Sequence, residues 1–274
     1  MAKLQRQVKK LSKLAQEIRR ELISMCYKTG SSHIGSSFSI VEILVTLYFH
    51  TLNVSPETSR SIRRDRFILS KGHGCPALYA TLCRRGFISE EVLEGFARNG
   101  GTLEQHPSRN LDWGIEASTG SLGHGLSVAT GMALANKCDG LDSKVWVLLS
   151  DGETNEGSTW EAAMFAAQHK LDNLIAIVDY NKMQALGKTH EILDLEPFSD
   201  KWSSFGWETN EVDGHDIKNL IQVTEKVPFG LGHPSAIIAH TTKGKGVCFM
   251  EDQLLWHYRC PDPDEYEQAI CELS

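Results

Sequence analysis

The chain has 274 residues, of which 41% are hydrophobic and 23% are charged, and its net charge is −7. This length allows one large domain or two small ones, with a substantial buried core. The negative charge argues against a general nucleic-acid binder. The basic segment 60–66 is interpreted as a solvated turn, because Asp65 interrupts it and no aromatic residues are interleaved.

The cysteines give an indication of redox environment. Seven are present, an odd number, and they form no CxxC pair and no metal-binding spacing. The sequence also carries no signal-peptide pattern and no long apolar stretch. We therefore expect reduced thiols in a cytoplasmic protein that binds neither membranes nor nucleic acid.

The first helix is predicted from its periodicity. Apolar residues recur every three or four positions between Leu4 and Leu22, which gives a helix one buried face. The glycine- and serine-rich segment 29–39 is predicted to be a loop, and it leads into a helix over 39–50.

The rest of the chain alternates strands with helices. Almost continuously apolar runs predict strands at 66–70, 144–150, 173–181 and 235–242. Periodicity, small residues and caps predict helices at 76–86, from about Ser89, and at 127–137, 158–170 and 216–227. Residues 98–123 are glycine-rich and are predicted to be irregular. The alternation indicates an α/β fold, a doubly wound parallel sheet with helices on both faces.

Polar residues follow the predicted strands at their carboxyl ends, where ligands bind in such sheets. Asp151 and Asn181 offer the oxygen ligands that Mg²⁺ prefers, and Gly152 lets the backbone approach a phosphate at the start of the next helix. The pattern therefore predicts a site for a metal-bound diphosphate. The alternative is an aspartate that only caps the next helix, with Asn181 in an ordinary turn.

The spacing from Asp151 to Asn181 resembles the thiamine-diphosphate motif. More narrowly, residues 10–260 resemble the N-terminal half of a transketolase. The segments that carry the resemblance are SSHIGSS (31–37), FILSKGHG (67–74), EQHPS (104–108), TGSLGHG (119–125), SDGETNEGSTWEA (150–162), VDYNKMQ (178–184), TTKGKG (241–246) and WH (256–257). The resemblance implies one thiamine-diphosphate-binding domain over 1–274, without the pyrimidine-binding and C-terminal domains.

The resemblance also implies roles for single residues. The cofactors would be thiamine diphosphate and Mg²⁺ or another divalent ion such as Ca²⁺ or Mn²⁺, and the metal ligands would be Asp151, Asn181 and the carbonyl of Met183. The residues expected to bind the cofactor are His73, Gly120, Ser121, Leu122, Asp151, Gly152, Glu153, Asn181 and His257. The catalytic histidines of the substrate channel would be His33, His73 and His106. The glutamates expected at a subunit interface are Glu156 and Glu161.

Some of these assignments have simpler alternatives. His33 and His106 lie in loops where a surface histidine is ordinary, and either interface glutamate is open to being merely solvated. The sequence also departs from the family pattern at three positions without removing a metal ligand. These departures are a serine in place of the first glycine of the motif, a histidine in place of a glutamine, and a tyrosine in place of a glycine, at Ser150, His124 and Tyr258.

The activity that the resemblance implies is transfer of a two-carbon ketol unit from a ketose, or its phosphate or related derivative, to an aldose. Family members use a second domain to hold the pyrimidine ring and to supply the glutamate that activates it. We therefore expect this chain to be the N-terminal subunit of a split transketolase. Its partner would be a C-terminal subunit, in a heterotetramer in which this chain self-associates across a two-fold axis.

Three other functions remain open at this stage. One is a subunit of another thiamine-dependent, sugar-forming synthase that resembles deoxyxylulose-phosphate synthase. Another is a noncatalytic regulatory subunit with the same fold. The third is a phosphohydrolase with Asp151 as nucleophile, for which Glu153 is an imperfect second acid.

Overall fold

The computed structural model describes residues 2–274, and within this range five parallel strands form one sheet in the order β1-β2-β3-β5-β4. The strands are β1 (Arg66–Leu69), β2 (Val145–Ser150), β3 (Leu174–Tyr180), β4 (Glu208–Asp213) and β5 (Ser235–His240). The α-helices are α1 (Ala2–Thr29), α2 (Ile34–Phe38), α3 (Val41–Thr46), α4 (Cys75–Arg85), α5 (Glu90–Glu94), α6 (Gly125–Cys138), α7 (Gly157–Gln168), α8 (Thr189–Ile192), α9 (Phe198–Ser204), α10 (Ile217–Thr224) and α11 (Pro263–Glu272).

The sheet is buried on both faces, which confirms the predicted α/β class. Successive side chains of β2 alternate between two hydrophobic clusters, because neighbouring residues of a strand point to opposite faces. Trp146 and Leu148 belong to the cluster that also contains residues of α1, α3, α4 and α10. Val147 and Leu149 belong to the cluster formed with α6, α7 and α9. This double burial explains why β2 and β3 are apolar almost throughout.

Three elements differ from the sequence-based predictions. Strand β4 was not predicted because its sequence, ETNEVD, is polar and the strand is mostly exposed at the edge of the sheet. Helix α11 was not predicted either, and it packs on α1 through stacked rings of Tyr27 and Tyr266 whose centroids are 4.3 Å apart. The predicted loop at 29–39 contains helix α2, whose five residues are all buried.

The segment that follows α1 is apolar for a structural reason. Residues Ile34–Thr51 have the length and mean hydropathy, 1.3, of a helix that crosses a membrane. However, 83% of this window is buried inside the fold, where α2 and α3 contribute to the core. Packing therefore accounts for its composition. All seven cysteines lie within the described residues and carry free thiols.

Candidate functional site

A cavity of about 410 Å³ lies at the carboxyl ends of β1, β2, β3 and β5. The predicted site residues that line it are His33, His73, His106, Gly120, Leu122, Gly152, Glu156, Asn181, Met183 and His257. A second cavity, of about 460 Å³, lies between α1 and α5, away from the strand ends and from every predicted site residue. Cavity size alone would therefore have pointed to the wrong place.

Asp151 is a buried carboxylate without a cation against it. Its two oxygens accept the backbone N–H groups of Gly152 at 2.7 Å and Lys182 at 2.5 Å. Burial raises the pKa of Asp151 to about 7, and the nearby charge of Asp179 contributes to the rise. The bond to Gly152 means that Asp151 also caps the turn that follows, as the simpler interpretation expected. Two backbone donors do not neutralise a buried charge, so the group is suited to a metal ion.

Asn181 is oriented by two hydrogen bonds. Its Nδ2 donates to Asp179 Oδ2 at 3.0 Å, and its Oδ1 accepts the N–H of Met183 at 3.0 Å. These partners fix which end of the amide carries the oxygen. Both Asn181 and Met183 border the cavity.

Beneath the cavity, Lys71 and Asp179 form a buried ion pair. The Lys71 ammonium donates to Asp179 Oδ2 at 2.5 Å and to the carbonyl of Ser36 at 3.0 Å. Asp179 also accepts the hydroxyls of Ser39, at 2.8 Å, and Thr241. Burial raises the pKa of Asp179, but Lys71 and these hydroxyls outweigh that effect and bring it below its ordinary value. Asp179 is therefore an anion that orients its neighbours.

Four histidines face one another across the cavity. The ring centroid of His33 lies 5.4 Å from that of His73, 4.8 Å from that of His257 and 6.4 Å from that of His106. Burial, together with nearby cationic groups, lowers the pKa of His33 to about 4 and that of His257 to about 3. The pKa of His73 is well below its ordinary value for the same reasons. These three rings are therefore neutral at pH 7.

His33 adopts a left-handed backbone conformation, with φ of 65°. This conformation is uncommon for residues other than glycine, and such residues cluster at functional sites. The His33 N–H donates to the carbonyl of His257 at 3.1 Å, and its Nδ1 lies 2.9 Å from Ser32 Oγ. These contacts hold the ring in the cavity, which argues against an ordinary surface histidine.

The cavity is also bordered by two buried lysines to which the sequence analysis gave no role, Lys71 and Lys243. The Lys243 ammonium lies 3.2 Å from His257 Nδ1. Burial and the charge of Lys71 lower the pKa of Lys243 to about 8. The available signal was position, because both lysines closely follow a strand, in the segments KGHG and TTKGKG. Lysines at loop positions are usually solvated, so their burial was not foreseen.

Two glycines allow the cavity walls to approach closely. A Cβ atom added at Gly72 would lie 2.8 Å from the Thr119 carbonyl carbon, so only glycine lets loops 71–74 and 119–120 touch. A Cβ atom at Gly152 would lie 3.0 Å from Cγ of Gln184. The Nε2 atom of Gln184 is buried without a hydrogen-bond partner and belongs to a residue that borders the cavity. An unpartnered donor at this place fits an anionic ligand.

Three predicted residues lie elsewhere. Ser121 is exposed and does not border the cavity. Glu153 was predicted to bind the cofactor, but it is buried behind the strand ends and accepts hydrogen bonds from Ser70 Oγ and from the N–H of Gly123 at 2.9 Å. It therefore anchors the glycine-rich loop 119–125. Glu161 lies on the outer side of α7, in a separate groove between α6 and α7.

The donor set is suited to a metal that shares its ligands with a phosphate. Among residues 2–274, no group of three or more His, Cys, Asp or Glu side chains is placed to hold a metal by itself. Asp151, Asn181 and the Met183 carbonyl offer oxygen atoms only, which suits Mg²⁺ completed by phosphate oxygens rather than Zn²⁺. The buried lysines and the unpartnered Gln184 donor suit the phosphate. The residues present therefore fit a metal-bound diphosphate.

Comparison with known proteins identifies the family. The family described as "Transketolase, thiamine diphosphate binding domain" matches residues 11–259. One of the two subunits of an apulose-4-phosphate transketolase from Phocaeicola vulgatus is 43% identical over 268 residues, covering 98% of this chain and 95% of that protein. The 6-deoxy-6-sulfo-D-fructose transketolase subunit SqwG from Clostridium sp. (strain MSTE9) is 43% identical over 260 residues, covering 95% and 94%.

Solved structures give the same result. The transketolase from Campylobacter jejuni has a TM-score of 0.89 and 28% identity, over 96% of this chain and 43% of that one. The chain thus spans about two fifths of the solved transketolase chains that it matches, such as those from Campylobacter jejuni and Leishmania mexicana. The chain belongs to the transketolase family, of which it represents the thiamine-diphosphate-binding N-terminal domain.

Proposed function

We propose that this chain is the cofactor-binding subunit of a split transketolase, which transfers a two-carbon ketol unit from a ketose to an aldose together with a partner chain. The observation that carries the proposal is the uncompensated Asp151 carboxylate beside Asn181, under a cavity bordered by lysines and histidines. The similar length of relatives that are themselves named as subunits supports the split arrangement.

Particular residues would hold each part of the cofactor. Asp151, Asn181 and the Met183 carbonyl would ligate Mg²⁺, or Ca²⁺ or Mn²⁺, which accept the same oxygen donors. The diphosphate would be held by Lys243, His257, Gln184 and the backbone at Gly152. Gly120 and Leu122 would contact its rings. When bound, thiamine diphosphate supplies carbanion chemistry that protein side chains lack.

The histidines would act on the sugar. His33 and His73 are neutral at pH 7, so each offers one hydrogen-bond donor and one acceptor to sugar hydroxyls. A neutral ring of this kind also accepts a proton in the reaction and returns it later. His106 borders the same cavity and would share this work. The relatives' names specify apulose 4-phosphate and 6-deoxy-6-sulfo-D-fructose. For this chain we propose a sugar or sugar-phosphate ketose.

The assembly would have two copies of each chain. The outer face of α6 and α7 exposes three large apolar side chains, Val128, Met164 and Phe165. Beside them lies the groove that contains Glu161, whereas Glu156 borders the cofactor cavity. Self-association over this face would link two cofactor sites across a two-fold axis. A C-terminal subunit would supply the pyrimidine-binding domain. Free thiols are consistent with a cytoplasmic location, which we also propose.

The alternative functions receive less support. A phosphohydrolase needs a second acid in the cavity, and Glu153 is held by Ser70 and Gly123 instead. A noncatalytic subunit would have no need for the buried metal ligands or the histidine cluster. The names of the relatives favour ketol transfer over a deoxyxylulose-phosphate-type synthase.

Thermal unfolding of the assembled complex tests cofactor binding. Thiamine diphosphate with Mg²⁺ should raise the melting temperature, because a ligand that binds the native state stabilises it. Thiamine diphosphate with a chelator is the matched control and should give a much smaller rise. An unchanged melting temperature at millimolar cofactor and metal would contradict the proposal.

A further inference from the structure

His215 connects three parts of the fold outside the cavity. It lies in the loop between β4 and α10, and its side chain is only 14% exposed. Its Nδ1 lies 3.0 Å from Glu42 Oε2 on α3, and its Nε2 lies 2.8 Å from the backbone nitrogen of Thr242. No role in the proposed chemistry has been given to this residue.

The two partners determine the tautomer of His215. The Thr242 N–H is only a donor, so Nε2 must be the unprotonated, accepting nitrogen. Nδ1 then carries the proton and donates it to Glu42. Burial raises the pKa of Glu42, but the charge of Arg19 and hydrogen bonds from His215 and Arg19 bring it to about 2. Glu42 is therefore an anion, and a charged acceptor fixes the ring as a neighbouring carboxylate fixes a metal-binding histidine.

The residue after Thr242 is Lys243, whose ammonium borders the cavity. Its carbonyl accepts the N–H of Asp252 at 2.8 Å, and the following N–H, of Gly244, donates to Gly35 at 3.0 Å. These bonds fix the backbone on the C-terminal side of Lys243. On its N-terminal side, the hydrogen bond to His215 fixes the adjacent amide. The direction of the Lys243 side chain depends on both.

We propose that His215 is a positioning residue for the diphosphate site. It would hold the Thr242 amide and so keep the Lys243 ammonium beside His257, where it would meet the cofactor's phosphates. The inference rests on the proposed function, because it assigns the anion that Lys243 meets. It adds a chain of contacts that runs from Arg19 through Glu42 and His215 to the loop that carries Lys243.

A purely structural role is the competing explanation. Gly214 packs tightly against Thr241, where an added Cβ atom would lie 2.4 Å from Cγ2, and Thr241 is bound to Asp179. These contacts hold the same loop without His215. The two explanations differ in one respect. If His215 acts through Lys243, its loss has no effect on cofactor affinity once the ammonium is gone.

A double-mutant cycle on the assembled complex separates them. Calorimetry would give the Kd of thiamine diphosphate at saturating Mg²⁺ for wild type, His215→Asn, Lys243→Met and the double variant. Asparagine keeps a donor near Nδ1 but lacks the acceptor at Nε2, so it should weaken binding about tenfold. In the Lys243→Met background the same change should alter Kd less than about twofold. Equal effects in the two backgrounds would overturn the inference.

Two further variants serve as controls. His215→Gln reaches the Nε2 position with an oxygen and should restore the Kd to within about threefold of wild type. His50→Asn breaks another histidine–glutamate contact, to Glu225 at 3.0 Å, far from the cavity, and should leave the Kd unchanged. Failure of His215→Gln to exceed His215→Asn would also overturn the inference.

A measurement without cofactor keeps the inference separate from the proposed function. Amide hydrogen exchange at Thr242 in the cofactor-free complex should be faster in His215→Asn than in wild type or His215→Gln. If wild type does not bind thiamine diphosphate, the proposed function fails, and with it the role assigned to Lys243. If wild type binds but Thr242 exchange is the same in all three proteins, only the inference about His215 fails.

Discussion

The Lys71 ammonium lies 2.5 Å from the Asp179 carboxylate, and both side chains are buried beneath the cavity. Asp151, at the end of the neighbouring strand β2, has only backbone donors. The one carboxylate is thus neutralised by the protein, whereas the other is left for a metal ion. This division explains how two buried aspartates at the same sheet edge serve different purposes.

The Lys71–Asp179 pair should contribute strongly to folding. Lys71→Met leaves an unpaired buried carboxylate, so the free energy of unfolding should fall by about 3–5 kcal/mol in urea denaturation. The matched control is Lys137→Met, which breaks the half-exposed pair with Asp172 at 2.8 Å and should cost about 1 kcal/mol or less. Similar losses in the two variants would show that Asp179 is not an obligatory anion.

The metal ligands should affect cofactor binding more than stability. Asp151→Ala should weaken Mg²⁺-dependent binding of thiamine diphosphate by at least about 100-fold, because it removes the anionic ligand. Asn181→Ala should have a smaller effect, since a neutral oxygen contributes less. Calorimetry on the assembled complex measures both, with Asp139→Ala at the exposed end of α6 as control. Unchanged affinity in Asp151→Ala would refute its assignment as a ligand.

The histidines should separate cofactor binding from turnover. His33→Ala and His106→Ala should lower kcat by about 10- to 100-fold and raise the KM for the sugar, while the Kd of thiamine diphosphate stays nearly normal. His73→Ala should affect both, because it lies between His33 and His257. The exposed His233 provides the control substitution. Wild-type kinetics in the first two variants would mean that the cluster is structural.

The neutral histidines predict how stability depends on pH. The pKa of His33 is about 4 in the folded state, compared with about 6.5 when unfolded. Between these values only the unfolded chain binds the proton, so the free energy of unfolding decreases as the pH falls from 6.5 towards 4. His33→Gln should remove this contribution and give a flatter profile in cofactor-free urea denaturation between pH 6.5 and 5.

The comparison between variants is essential to this measurement. Asp151 has a raised pKa and titrates with the opposite sign, so it partly masks the histidines in the wild-type profile. The difference between wild type and His33→Gln cancels that contribution. His233→Gln should give the wild-type slope. Parallel profiles for wild type and His33→Gln would show that His33 is protonated in the native protein at the same pH as in the unfolded chain.

Much of the architecture was predictable because burial leaves a strong mark on sequence. β1, β2, β3 and β5 were foreseen as apolar runs, and the residues after them were expected to converge at one edge. β4 was missed because an exposed edge strand is compatible with polar residues such as Glu208 and Glu211. The strand order, with β5 inserted between β3 and β4, depends on pairing between distant segments and leaves no local pattern.

The site shows the same limit. Asp151, Gly152 and Asn181 were identifiable because their residue types and spacing suit a metal and a phosphate. Lys243 was not, since its burial results from contacts with Gly35 and the loop that carries His257, which only the fold brings together. Glu153 was placed in the site from its neighbours in sequence, although a one-residue step along the turn directs it towards Ser70 instead.

The central claim is that this chain provides the metal and diphosphate half of a transketolase and needs a partner to act. The most direct test is a ketol-transfer assay of the purified chain with saturating thiamine diphosphate and Mg²⁺, first alone and then with a C-terminal transketolase subunit. We expect no turnover by the chain alone, turnover with the partner, and loss of that turnover in Asp151→Ala. Ketol transfer by the chain in the absence of any partner would contradict the claim.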